Sequence, residues 1–371
     1  MKVNFCLPIV SMNGGIRVAA IYAKALAQKG HQVVVVSPPP MAPTWKETVK
    51  SWLKIAPLPY PSRINPSHFD GLGLDHRVLD RWRPPTDADL PDADVVVATW
   101  WETAEWVNRL GPAKGAKVYF IQHHEVFPHL PVERCRATYR LPLHKVVIAR
   151  WLKDVMSRDY GDDVVDLVPN SVDRTQFFAP AREKQALPTV GFLYSTAHFK
   201  GMDVSLEAIR AVRQRIPQLR LVCFGSVHPS PDFPLPEGCD YVFSPPQDQI
   251  RNLYARCDVW ITASRSEGFN LPAMEAMACR TPVVSTRTGW PAEALESGSN
   301  GYLVDVDDVK ALARVLEQVL SSSPEEWKRL SERAYETACR GSWEESARQF
   351  EQALLRACER SRRGEIAGKG V

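Results

Sequence analysis

Glu267 and Glu275 stand eight residues apart in the stretch Ser264–Val284, SRSEGFNLPAMEAMACRTPVV. Pro272, between them, is barred from a helix interior but suits a helix's first position. The pattern predicts a loop over Gly268–Leu271 and a helix over Pro272–Cys279. The first N–H groups of such a helix have no internal partner. With the helix dipole they form an anion site, and Gly268 lets backbone approach a ligand closely. This suits the holding of a phosphorylated sugar. The Asn270–Leu271 amides would take a phosphate, and Glu275 could accept two hydrogen bonds from a diol such as a ribose. Glu267, ahead of the loop at a strand's carboxyl end, could accept from sugar hydroxyls. The plainer reading of an isolated pair, a Glu275 that only complements the dipole and a solvated Glu267, stays open at this point.

The elements around this stretch alternate. Apolar runs at Val3–Val10, His31–Ser37, Asp94–Thr99, Lys117–Gln122 and Lys145–Ala149 read as strands buried on both faces. Helical spacing over Ile16–Lys29, Thr103–Leu110 and Val132–Arg140 separates them. A second series has strands at Thr189–Tyr194, Leu219–Gly225, Asp240–Phe243, Val259–Ala263, Pro282–Thr286 and Gly301–Val304. Its helices are expected over Asp203–Arg215, Asp248–Cys257 and Val309–Leu320. The fold class is therefore α/β, with two doubly wound Rossmann-like domains. Boundaries are expected at residues 1–178, 179–341 (opening on a linker over 179–188), and 342–371 for a charged C-terminal helix that frays from about Ser361. The segment Pro38–Pro91, rich in Pro, Ser and Trp, reads as a long loop with short helices. Open parallel sheets bind ligands at the carboxyl ends of their strands, and two such domains suit a two-substrate reaction.

The chain has 371 residues, 44% apolar and 24% charged, which excludes disorder and a coiled coil as the main architecture. Its apolar runs are too short to span a bilayer, and the opening MKVNFCLPIVSMNGG reads as a buried strand rather than a signal peptide. A net charge of +3 does not argue for nucleic acid. The mildly basic first half permits weak contact with an anionic membrane surface. The eight cysteines show no CxxC pair or metal-ligand spacing. They read as thiols of a reducing cytoplasm.

The run EGFNLPAMEAMACRTPVV, Glu267–Val284, resembles the donor-site signature of retaining glycosyltransferases of family 4. Those enzymes have the GT-B fold, two Rossmann-like domains facing across a cleft with a final helix crossing back to the first. The signature's usual form is EGFGLPxxEAMACGxPVV, and this chain departs from it at Asn270 and Arg280. Other segments fall in family order. Asn13-Gly14-Gly15-Ile16-Arg17 resembles the glycine-rich loop that opens the first helix, and Val168–Asp173 with Phe177 resembles the approach to the second domain. Lys200-Gly201-Met202-Asp203 resembles the turn that brings a lysine to the diphosphate, and Ser342-Trp343 the start of the final helix. The family's usual arginine five residues before the lysine is Ser195 here, and Arg265 or Arg17 are candidate substitutes.

The resemblance implies a metal-independent transferase without a cofactor. It moves a sugar from a nucleotide-diphosphate sugar to an acceptor hydroxyl with retention of configuration. Lys200, Gly14, Gly15 and the loop Gly268, Phe269, Asn270, Leu271 would hold the diphosphate, with Glu267 on the sugar. Family members often place a His or Asp after the strand that here ends at Gln122. His123 is therefore the preferred catalytic candidate, and His124 and Glu125 are acceptor-side alternatives. Trp45, Trp52, Trp82, Trp100 and Trp101 either stack on an acceptor or fill the core. The acceptor is a glycan, a lipid-linked saccharide or a natural product, and the nucleotide base would be read near Ser244–Gln249. Two rivals remain: a non-catalytic sugar-nucleotide-binding protein and a sugar-nucleotide epimerase. A glycoside hydrolase would not require a phosphate-type loop between its carboxylates, and no cofactor-lysine context suggests a phosphorylase.

Overall fold

A computed structural model describes residues 1–40 and 66–366. It divides into two compact units, residues 1–169 with the segment from Glu344, and residues 170–343. The first unit holds one sheet of parallel strands: β1 (Lys2–Cys6), β2 (Gln32–Ser37), β3 (Asp75–Val78), β4 (Val95–Ala98), β5 (Ala116–Ile121), β6 (His144–Val147) and β7 (Val165–Leu167). Their order is β3-β2-β1-β4-β5-β6-β7. The second unit repeats the plan with β8 (Thr189–Leu193), β9 (Arg220–Gly225), β10 (Asp240–Phe243), β11 (Val259–Thr262), β12 (Val283–Thr286) and β13 (Tyr302–Val304), ordered β10-β9-β8-β11-β12-β13. In each sheet the order reverses beside the first strand, between β1 and β4 and between β8 and β11. Connections leave such a switch point in opposite directions, so the strand ends there open a ligand crevice.

Val95, Val96, Val97 and Val118 are fully buried, as continuous apolar runs in a sheet covered on both faces require. Several features escaped sequence periodicity, among them the strand Val165–Leu167 and the helix Gly289–Ala294. β3 reads DHRV, has mostly exposed side chains, and joins the sheet by backbone pairing to β2 and a 2.9 Å hydrogen bond between His76 Nε2 and Ser37 Oγ. It is therefore a strand within the segment expected to be a loop with short helices. Trp45 and Trp52 of that segment lie outside the described residues, while Trp82 is exposed and meets Trp106 edge-on at 6.4 Å. Helices at Arg150–Tyr160 and Pro324–Ala338 were also unmarked. Residues 179–188, expected as a linker, are packed within the second unit. Arg182 donates to Thr281 Oγ1 at 2.9 Å and lies over the Trp327 ring at 4.7 Å.

The C-terminal helix Trp343–Arg362 belongs with the first unit from Glu344 onward. Its buried Phe350 stacks on Tyr22 at 4.5 Å and meets Phe120 at 5.1 Å and Phe5 at 6.3 Å. Glu351 accepts from Lys29 Nζ at 2.5 Å and pairs with His31 Nε2 at 2.7 Å. Arg356 pairs with Asp166 at 2.8 Å. Among the described residues no helix is long and apolar enough to cross a membrane. Phe350→Ala should destabilise the first unit by about 3–5 kcal/mol, because the helix then loses its aromatic anchor and leaves a cavity. Urea unfolding followed by near-UV circular dichroism checks this.

Candidate functional site

The chain leaves β11 at Thr262 and enters the helix Leu271–Ala278 through a short loop. Pro272 sits in the first turn of that helix. Asn270 before it is left-handed, with φ 78°, a region that Gly, and after it Asn, occupies with least strain. Its Nδ2 donates to Thr262 Oγ1 at 2.8 Å, so the side chain ties the loop back to the strand. Arg280 is the other departure from the glycosyltransferase signature, and it is left-handed too, with φ 59°. Both substitutions thus fall where the backbone wants glycine. Contacts that glycine lacks hold Arg280 there: Nε donates to the Ala179 carbonyl at 3.2 Å, and the guanidinium lies 4.1 Å over Tyr335. Gly289, with φ +58°, braces the loop from the far side. A Cβ there would come within 2.7 Å of the Phe269 carbonyl oxygen. That same carbonyl accepts the Trp290 N–H at 2.7 Å.

Lys200 ends the short turn His198–Lys200 after β8. Its Nζ donates to both oxygens of Glu267, at 2.8 and 3.0 Å, and Ser264 Oγ donates to Glu267 Oε1 at 2.7 Å. These three residues line a small cavity with Ser205, Thr262 and Asn270. The lysine turn and the glutamate loop are also joined by backbone, since the Arg265 N–H donates to the Phe199 carbonyl at 2.7 Å. Arg265's own guanidinium is committed elsewhere. It pairs with Asp203 at 2.7 Å and with Asp307 at 2.7 Å, and donates to the His198 carbonyl at 2.9 Å. It thereby holds the Asp203 carboxyl below its usual range. Ser195 Oγ accepts the Ala197 N–H at 3.2 Å and shapes the turn that leads to Lys200. Glu275 is buried, and its Oε2 already accepts from the Tyr254 hydroxyl at 2.9 Å.

In the first unit, Asn13 caps the helix Gly14–Gln28 by accepting the Ile16 N–H at 2.9 Å. Arg17 lies in that helix's first turn. No neighbouring atom crowds Gly14, and the Gly15 carbonyl accepts from Gln122 Nε2 at 3.0 Å. Gln122 thus joins the glycine loop to the end of β5, a role its residue type did not advertise. The two histidines that follow differ. His123 Nδ1 lies 3.0 Å from the His124 carbonyl, which can only accept. Nδ1 therefore carries a proton. His124 Nε2 meets the Tyr160 hydroxyl at 2.7 Å, and burial pushes its pKa down to about 4. Glu125 is buried and held well above the usual carboxyl range by that burial. It accepts from the Trp101 N–H at 2.8 Å and the Tyr119 hydroxyl at 3.2 Å. Tyr139, also unforeseen, clamps this loop: its hydroxyl accepts the Glu125 N–H at 2.7 Å and donates to the His123 carbonyl at 3.2 Å. Trp101 is buried beneath Arg134, 5.0 Å over its ring, so it fills the core, whereas Trp100 is half-buried.

Residues 173–337 match the family model described as glycosyl transferases group 1. Over this segment, less than half of its length, the chain is similar to the group 1 glycosyltransferases. Among curated relatives, the D-inositol 3-phosphate glycosyltransferase of Corynebacterium urealyticum is 30% identical over 208 residues, covering 51% of this chain and 48% of that protein. The same enzyme of Saccharomonospora viridis is 34% identical over 209 residues, covering 50% and 48%. The matched region therefore spans about half the length of these relatives. Among solved structures, a sucrose-phosphate synthase from Thermosynechococcus elongatus superposes with a TM-score of 0.72 at 17% identity, over 97% of this chain and 100% of that one. Anabaena Alr3699/HepE in complex with UDP gives 0.71 at 16% identity, over 96% and 100%. These likenesses show the shared GT-B fold.

Two outcomes follow from this geometry. Gly201, with φ +60°, lies so close to the Ala263 carbonyl oxygen that an added Cβ would meet it at 2.0 Å. Gly201→Ala should cost about 2–4 kcal/mol of stability and move the Lys200 turn off the loop. Urea titration and nucleotide affinity together read this. His124 binds protons less readily folded than unfolded, so it should draw stability away as pH falls from about 6.5 towards 4. Thermal unfolding across that window should be flatter in His124→Gln.

Proposed function

We propose that this chain is a retaining, metal-independent glycosyltransferase, moving a sugar from a nucleotide-diphosphate sugar to an acceptor hydroxyl. The single observation that carries the reading is the juxtaposition of Lys200 and Glu267 at the loop that enters the helix Leu271–Ala278. A fixed ammonium and a helix N-terminus suit a pyrophosphate, and a carboxylate beside them suits sugar hydroxyls. As the anomeric C–O bond breaks, negative charge gathers on the departing diphosphate while the sugar becomes oxocarbenium-like. Lys200 and the Asn270–Leu271 amides stabilise that charge without a metal or cofactor. The acceptor oxygen bonds to the anomeric carbon from the leaving-group face, and its proton passes to the departing phosphate oxygen.

His123 serves the sugar or the acceptor, and Trp100 supplies a stacking surface. Glycans, lipid-linked saccharides and natural products are the acceptor classes, with at most weak membrane contact. Eight free cysteines suit a reducing cytoplasm. The relatives' names favour a phosphorylated polyol among the acceptors to be tried, and UDP-bound neighbours favour UDP-sugars among the donors. One observation favours a second reading, a sugar-nucleotide-binding protein without transfer: Ser195 stands where the family has an arginine, and its hydroxyl is spent on the Ala197 N–H.

A thermal-shift screen of UDP-, GDP-, dTDP- and ADP-sugars, followed by detection of released nucleoside diphosphate, tests both. Glu267→Ala should lower turnover by at least about a thousandfold and leave nucleotide binding measurable. Normal turnover in that variant defeats the assignment. Binding without sugar release or transfer in the wild type establishes the second reading.

A further inference from the structure

We propose that the Lys200–Glu267 pair is a specificity device that makes the site discriminate an intact sugar nucleotide from the nucleoside diphosphate left after transfer. This rests on the donor-site reading above and extends it to product release.

Without ligand, the lysine is not free. Its Nζ is shared between Glu267 Oε1 and Oε2 at 2.8 and 3.0 Å, and the Glu267 side chain is only 9% exposed. The lysine keeps more access to solvent, at 25%. A diphosphate that takes Lys200 must therefore draw it off the carboxylate. The cost falls on Glu267, which retains the Ser264 hydroxyl at 2.7 Å but loses its counter-charge in a confined place. A buried carboxylate stripped of its partner is expensive. A sugar nucleotide removes that cost, because the sugar's hydroxyls donate to Glu267 as the diphosphate occupies Lys200. A nucleoside diphosphate cannot. Both charges exchange partners together for the donor, and only one does for the product. Once the sugar has left, Glu267 reclaims Lys200 and weakens the grip on the diphosphate. The carboxylate thus acts against its own site's anion unless a hydroxylated group accompanies it.

Two variants separate this exchange from simple charge repulsion. Glu267→Gln removes the charge. Glu267→Asp keeps the charge but is one methylene too short to reach Lys200 with both oxygens. Isothermal titration is run on the whole chain with UDP, GDP, dTDP and ADP, and with UDP-glucose, GDP-mannose, dTDP-glucose and ADP-glucose. The exchange predicts that both variants bind the nucleoside diphosphate about tenfold more tightly than wild type, while the matching sugar nucleotide gains nothing. The wild-type preference for the sugar nucleotide then collapses. Tightening in Glu267→Gln alone would mean repulsion without exchange and overturns the proposal. Unchanged or weaker diphosphate binding in both variants also overturns it and leaves the donor site standing. Absence of binding by any of the eight nucleotides to wild type and variants alike overturns the donor reading itself, and the device with it.

Discussion

A chain that leaves a parallel strand and enters a helix within a few residues has to turn its backbone sharply, and here the turn is left-handed at Asn270. That one constraint organises the second unit's ligand side. It sets Pro272 in the first turn of the helix Leu271–Ala278 and leaves Glu267 bonded to Lys200, in the turn after β8. The neighbouring elements are shaped to permit it. Gly289 has no side chain because the Phe269 carbonyl occupies that space, and Gly201 has none because Ala263 does. The loop is a backbone object first, and its carboxylate is positioned as a consequence.

The same logic explains how the chain tolerates two side chains where the signature has glycine. Strain at a left-handed residue is modest for Asn, whose amide can bond locally, and larger for Arg. Asn270 answers it with a hydrogen bond to Thr262, Arg280 with a carbonyl, a carboxylate and an aromatic face. Arg280 thereby joins the helix Leu271–Ala278 to the helix Pro324–Ala338 and to residue Ala179. A position where the signature has glycine is a packing node here.

The first unit gives two adjacent histidines different surroundings. His124 turns into the Tyr139–Tyr160 cluster and is neutralised by burial, while His123 Nδ1 meets the His124 carbonyl and its ring lies near Phe127 and Trp151. Glu125, buried beneath Trp101, is a brace for the loop in this arrangement rather than a solvated base.

Much of this was legible in the residues alone. Runs such as VVVV and VVVA are strands because only a sheet covered on both faces buries them, and Pro272 marks a helix start because proline has no N–H to lose there. The pairing of β3 was not legible. Its polar DHRV carries no periodic signal, and pairing to β2, by backbone and by the His76–Ser37 hydrogen bond, recruits it. Nor was the bond between Lys200 and Glu267, which are 67 residues apart. Local sequence determines the hydrogen bonds a segment can make within itself, and so it determined the elements and the chemical types at their ends. Which charge neutralises which, and which histidine is buried against the tyrosines, depends on groups brought together from distant positions. Only the packed tertiary structure decides that, because the energy of a charge is set by its neighbours and its burial.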